Sequence, residues 1–175
     1  MNGIKISDKT VKQLSASKDF SLSFKEKIEV AKLLDKLCVD VIELDEMKNQ
    51  RVDPLLVKSI VTAVKYSTVA VPVALGTDAA IVANALAEAK KFRLQVAAPA
   101  SSVRMEYVYH KKPAAILEAV KTTVADCRKY TDDVEFIADD ATRSDMSFLS
   151  EMINAAIEAG ATTVTLCDDA GSMLP

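Results

Sequence analysis

The stretch FIADDATRSD, Phe136–Asp145, sets three acids, a Thr and an Arg directly behind an apolar run. Similar collections follow other apolar runs. Asp8, Lys9, Lys12 and Gln13 come after IKIS; Glu43, Asp45 and Glu46 close VDVIEL; Asp168 and Asp169 follow TVTLC. Carboxylates that converge repel one another unless a cation, a shared proton or an Arg sits among them. A hard divalent metal with oxygen ligands is one solution. A salt bridge to Lys12 or Arg143 is another. The plainer alternative at the fifth run is that Asp140, Thr142 or Asp145 caps the next helix and Arg143 pairs with a neighbouring acid, Asp140 and Arg143 tying strand to loop.

Other reactive side chains read as less eventful. Lys12 has the amine for a Schiff base, although ion pairing is its more ordinary role. His110, the single His, lies in YVYHKKP, which reads as a surface loop. One imidazole makes no His-rich metal site, and no Ser or Cys stands with it as in a triad. Cys38, Cys127 and Cys167 form no C-x-x-C pair, which argues against a zinc ribbon or disulfide frame, and small buried thiols are expected. Met105, Tyr107 and Tyr109 read as packing or loop residues, because no basic groove accompanies them.

These residues need strands and helices to position them. Six β-rich runs, IKIS, VDVIEL, TVAVPVAL, RLQVAA, DVEFIA and TVTLC, alternate with five amphipathic stretches. Phe24, Ile28, Ala31, Leu34 and Leu37 form a helical stripe behind the capping-box pair Ser23 and Glu26. Pro54 and Pro113 suit first helical positions. A third helix starts at Thr77 or Asp78. The last runs from about Ser147 to Ala159, with Gly160 as its stop. Strands apolar on both faces, spaced like βα units, indicate an α/β fold of parallel strands. Gly is too scarce for a dinucleotide or P-loop motif, which favours a barrel arrangement. A full barrel needs eight units and about 250 residues. The expectation is therefore a partial (β/α) TIM-type barrel, one domain over 1–175, lacking the last two strands. The sheet is then open, completed by another polypeptide, or a fragment of a longer product.

Composition narrows the partners. The net charge is −3 with no basic block, which argues against nucleic acid and a polybasic membrane contact. No run reaches spanning length and MNGIKISDKT lacks the apolar core of a signal peptide, so no membrane contact and a cytoplasmic location are expected.

FSLSFKEKIEVAKLLDKLCVDVIEL and DDVEFIADDATRSDMSFLSEMINAAIEAGATTVTLCDDAG, in that order, resemble the 2-isopropylmalate, homocitrate and citramalate synthases, TIM-barrel relatives of the hydroxymethylglutaryl-CoA lyases. The resemblance implies a cytoplasmic amino-acid-biosynthetic transferase joining acetyl-CoA to a 2-oxo acid through a divalent metal and acid/base chemistry. It also implies where this chain departs. DKTVKQLSA stands for the family's DTTLRDGEQ, so Lys12 replaces an oxyanion-stabilising Arg and Gln13 a metal-binding Asp. Gln95 takes the place of a His on strand four, and Ile137 and Asp139 those of a Ser and a Glu on strand five. Asp169 takes the place of a substrate-contacting Thr, and the H-x-H of strand seven does not occur in the sequence. Lys12 and Asp139 are thus the catalytic candidates, Glu43, Arg143 and Asp169 the substrate-binding ones, and no metal ligand is assigned. The family's divalent metal is implied while its ligands are largely absent. The resulting expectation is a pseudoenzyme that associates with a copy of itself or with a second chain completing the barrel. An altered active acyltransferase and a non-catalytic 2-oxo acid or CoA binding module are the alternatives.

Overall fold

A computed structural model describes residues 3–16, 22–49, 51–171 and 173. The elements are β1 (Ser7–Asp8), α1 (Thr10–Ala16), α2 (Phe24–Lys36), β2 (Val41–Glu43), α3 (Asp53–Ala63), β3 (Thr68–Pro72), α4 (Ala79–Ala85), β4 (Phe92–Pro99), α5 (Ser102–Tyr107), α6 (Pro113–Cys127), β5 (Val134–Asp139), a 3-10 turn (Ala141–Arg143), α7 (Met146–Ala159) and β6 (Thr163–Leu166). Strand order follows chain order, and every registered pair is parallel. This is the α/β, partial (β/α) barrel class. Seven α-helices replace the expected five among the described residues. The additional ones, α1 and α5, are too short to print a period on the sequence. Each is started by a local acceptor: Asp8 Oδ1 takes the Thr10 N–H at 2.8 Å, and Ser101 Oγ the Arg104 N–H at 3.3 Å.

The chain divides into two compact units, Met1–Pro72 with Ala80–Arg93, and Val73–Ala79 with Leu94–Pro175. In the first, β1 pairs with β2 and β2 with β3. Val41, Ile42, Val69, Val71, Val57 and Ile60 are buried there. Ser23 and Glu26 make the reciprocal capping box of α2. Only the middle of the α2 stripe is covered: Ala31 and Leu34 are buried, whereas Phe24 and Leu37 are 42% and 74% exposed. Asp35 on that helix is buried. Burial raises its carboxyl, but N–H donors from Ser67, Lys65 and Tyr66 at 2.8–2.9 Å outweigh that and hold it below the usual range. β1 is shorter than the IKIS run, since Ile4 and Ile6 lie outside it and are exposed.

In the second unit β4 pairs with β5 and β5 with β6. One face aligns Leu94, Val96 and Ala98 with Val134, Phe136 and Ala138. All are buried, as are Ile116, Val120 and Val124 of α6 and Leu149, Met152 and Ala156 of α7. Each large apolar side chain so covered contributes about 1.5–3 kcal/mol. The other face corrects the expectation of doubly apolar strands. Gln95 Nε2 donates to Glu135 Oε2 at 2.9 Å and Thr165 Oγ1 to Glu135 Oε1 at 2.5 Å, so a polar row crosses three strands. Gln95 is fully buried and its Oε1 has no hydrogen-bond partner among the described residues.

α6 opens at Pro113 as expected and α4 at Ala79, just after the expected Thr77 or Asp78. Gly160 ends α7 with φ 114, and a Cβ there would lie 2.7 Å from Arg128 Cγ. Of the three thiols expected to be buried, only Cys127 is fully so. Cys127 is buried and pushed up to about 12 by that burial, Cys167 is half-buried, and Cys38 is exposed at a left-handed φ of 59° beyond the end of α2. No helix among the described residues is long and apolar enough to cross a membrane.

Candidate functional site

At the end of β2 in the first unit, Glu43 is 3% exposed. Ser7 on β1 donates its hydroxyl to Oε1 at 2.8 Å. Lys12, in the first turn of α1, donates from Nζ to Oε2 at 3.2 Å, and Lys9 Nζ lies 3.8 Å from Oε1. Two candidates, Lys12 and Glu43, therefore meet, with Lys12 in its ordinary ion-pairing role. Gln13, one residue on, is exposed. The first unit also holds an open pocket lined by Val11, Lys27, Leu44, Asp45, Met47 and Asp53, among others.

The second unit gathers Asp139, Arg143 and Asp169 around Asp140, which sequence reasoning treated as a cap or a tie. Asp140 is fully buried and left-handed at φ 58. Arg143 grips it with Nε to Oδ1 at 2.8 Å and Nη2 to Oδ2 at 2.7 Å, and Ser101 Oγ donates to Oδ2 at 2.5 Å. The Arg143 guanidinium holds the Asp140 carboxyl below the usual range despite burial. Its backbone N–H donates to Asp169 Oδ2 at 2.9 Å. Arg104 of α5 then bridges the ends of two strands, with Nη1 3.4 Å from Asp139 Oδ2 and Nη2 3.2 Å from Asp169 Oδ2. Thr142 Oγ1 donates to Asp168 Oδ1 at 2.6 Å, and Met173 N to Asp168 Oδ2 at 2.9 Å. Asp145, not Thr142, caps α7, accepting from the N–H groups of Ser147 and Phe148.

Sequence reading missed Arg104, Ser101 and the Gln95–Glu135–Thr165 row. The available signals were the alternation of Arg93 and Gln95 inside an apolar strand and the Ser-Ser-Val-Arg run behind it. His110 is exposed in a loop at φ 51. Met105 is buried on α5, whereas Tyr107 is exposed at its end.

A divalent metal does not fit the residues described here. Among them no three His, Cys, Asp or Glu side chains are grouped to hold one. Gln13, at the place where the resemblance puts an Asp ligand, is neutral and turned to solvent. The acids at the ends of β5 and β6 instead accept from Arg104, Arg143, Thr142 and backbone N–H groups.

The chain matches the family model described as HMGL-like over residues 3–175. The 2-isopropylmalate synthase of Neisseria meningitidis serogroup A is 37% identical over 175 residues, 99% of this chain and 34% of that protein. The 2-isopropylmalate synthase of Pyrococcus abyssi is 37% identical over 176 residues, 100% of this chain and 36% of that protein. The chain thus spans about a third of the length of these curated relatives. Among solved structures, hydroxymethylglutaryl-CoA lyase from Pseudomonas aeruginosa superposes with a TM-score of 0.73 at 16% identity, covering 97% of this chain and 58% of that one. The carboxyl transferase domain of Rhizobium etli pyruvate carboxylase (Y628A, with pyruvate) gives 0.52 at 16% identity, covering 83% and 24%. Both likenesses are of fold.

Proposed function

The chain belongs to the HMGL-like family, and from that premise we propose that it is a divergent relative of the 2-isopropylmalate synthases that does not carry out metal-dependent condensation by itself. The observation that carries this reading is the saturation of the strand-end acids. Asp140 is consumed by Arg143 and Ser101, and Asp139 and Asp169 share Arg104. A metal would have to displace charge-assisted bonds already made inside the protein. Lys12 is a point charge where the family's Arg presents a planar fork. Asp139 is one methylene shorter than the family's Glu, which shifts any proton it passes. The ligand class kept in this reading is the 2-oxo acid that the synthase resemblance implies.

The reading extends to association with another polypeptide, a second copy or a chain bearing further strands. Its support is exposed apolar surface in the second unit. Leu166 on β6 and Ile157 and Met146 on α7 are 55%, 51% and 75% exposed. Edge strands and such surfaces favour pairing.

Release of CoA from acetyl-CoA, followed with a panel of 2-oxo acids and Mg, Mn or Zn, tests the first part. No turnover by the chain alone is expected, and metal-dependent turnover would overturn it. Light scattering after size exclusion tests the second, where a monomer at all concentrations counts against association.

A further inference from the structure

We propose that Lys12 captures the carbonyl carbon of a 2-oxo acid as an imine, with Glu43 carrying the proton. The proposal takes its substrate class from the reading above and adds a chemistry that reading lacks. It begins with the placement of two lysines. Lys9 directly precedes α1 and Lys12 lies one turn along, so both ammonium groups reach the same carboxylate on β2. Glu43 is held from below by Ser7 and is nearly sealed from water. One fixed anion therefore serves two cations, and the cluster carries one unit of positive charge beyond neutrality. That excess suits the carboxylate of a 2-oxo acid, which Lys9 is placed to receive. The Lys12 side chain is 29% exposed, reached by solvent but partly withdrawn from it.

The steps balance without a metal or a redox partner. Lys12 passes a proton to Glu43 Oε2 across the 3.2 Å contact and its lone pair bonds to C2 of the acid. The former carbonyl oxygen takes a proton back through Glu43 and becomes a hydroxyl. The nitrogen then gives its second proton to Glu43, which passes it to the hydroxyl; the nitrogen lone pair closes the C=N bond as the C–O bond breaks, and water leaves. An amine and a ketone have become an imine and water. Protonated, that imine withdraws electrons from C2. The guanidinium that the family's Arg would place here has no nucleophilic lone pair, whereas a lysine amine has one once it has passed its proton to the carboxylate beside it.

The experiment incubates the full chain with pyruvate and sodium cyanoborohydride and locates the reduced adduct by peptide mass spectrometry. One dominant adduct on Lys12 is expected, absent in Lys12→Arg. Trapping in Glu43→Gln should be about a hundredfold slower, as for loss of a positioned proton carrier. Lys9→Met should raise the pyruvate concentration needed for half-maximal trapping. Circular dichroism confirms that each variant is folded; if Glu43→Gln is not, Lys12→Arg decides alone. Adducts spread evenly over the lysines, or labelling unchanged in Lys12→Arg, overturn the proposal. A thermal shift with pyruvate but no adduct would overturn the imine and leave the 2-oxo acid reading standing. Neither shift nor adduct would overturn both.

Discussion

The Glu43 cluster of the first unit and the Asp140 cluster of the second both sit where parallel strands end, and they settle their charges in opposite ways. Around Asp140 there are four carboxylates, Asp139, Asp140, Asp168 and Asp169, and two guanidinium groups, Arg104 and Arg143. The Asp140–Arg143 contact is bidentate, and other acids there are tied to backbone N–H groups. Around Glu43 there is one buried acid and two ammonium groups on long stems, their side chains 29% and 43% exposed. A planar fork fixes geometry, while an ammonium is a point charge that exchanges partners readily. One cluster is a fastening. The other leaves an amine in a single contact with a carboxylate, on a side chain that solvent reaches.

The contrast predicts unequal costs. Arg143→Met removes the bidentate partner of a buried carboxylate and should lower stability in urea unfolding more than Asp35→Ala or Lys12→Met, although the guanidinium itself is half exposed. A loss below about 1 kcal/mol, the scale of a surface pair, would erase the distinction. The first unit has its own fastening in Asp35. Asp35→Ala strands the N–H groups of Lys65, Tyr66 and Ser67 and should cost about 2 kcal/mol.

Acid sharpens the same point. Asp140 and Asp35 both have lowered folded-state pKa values. Their stabilisation is complete above the unfolded-state value of about 4 and is lost as pH falls through the folded-state values. Melting temperature should therefore drop below about pH 4, with a shallower acid limb in Arg143→Met. Lys12→Met should cost less than about 1 kcal/mol, because its partner keeps Ser7 and Lys9. The smallest effect is a kinetic order. A thiol reagent should find Cys38 first, then Cys167, and Cys127 only on unfolding. Early modification of Cys127 would mean that the α6 core opens easily.

Local chemistry was legible in the sequence. The Ser23–Glu26 box, Pro54, Pro113 and Gly160 mark helix ends by rules that act within a few residues, and the structure keeps each. The Asp140–Arg143 tie spans three positions and could be expected from the run itself. What stayed hidden was non-local. Arg104 meets Asp139 and Asp169 only because α5 stands behind β4 and β5 pairs with β6. No periodicity carries that information. The Gln95–Glu135–Thr165 row was masked by apolar neighbours pointing the opposite way. Phe24 and Leu37 show the converse failure: a helical period reports which residues share a face, not how much of that face another element covers.

Gly160 lies before β6 begins, at the opposite end of β5 and β6 from Asp139, Asp140, Asp168 and Asp169. Its bare Cα lets the stem of Arg128, the C-cap residue of α6, lie against the end of α7. Immediately beyond, Thr162 and Val134 exchange backbone and side-chain hydrogen bonds as β5 and β6 begin. The level at which those two strands start is the level from which they count residues upward. A methyl group at Gly160 would thus tilt the footing on which Asp139 and Asp169 stand, and Arg104 would feel the change without anything near it having been altered.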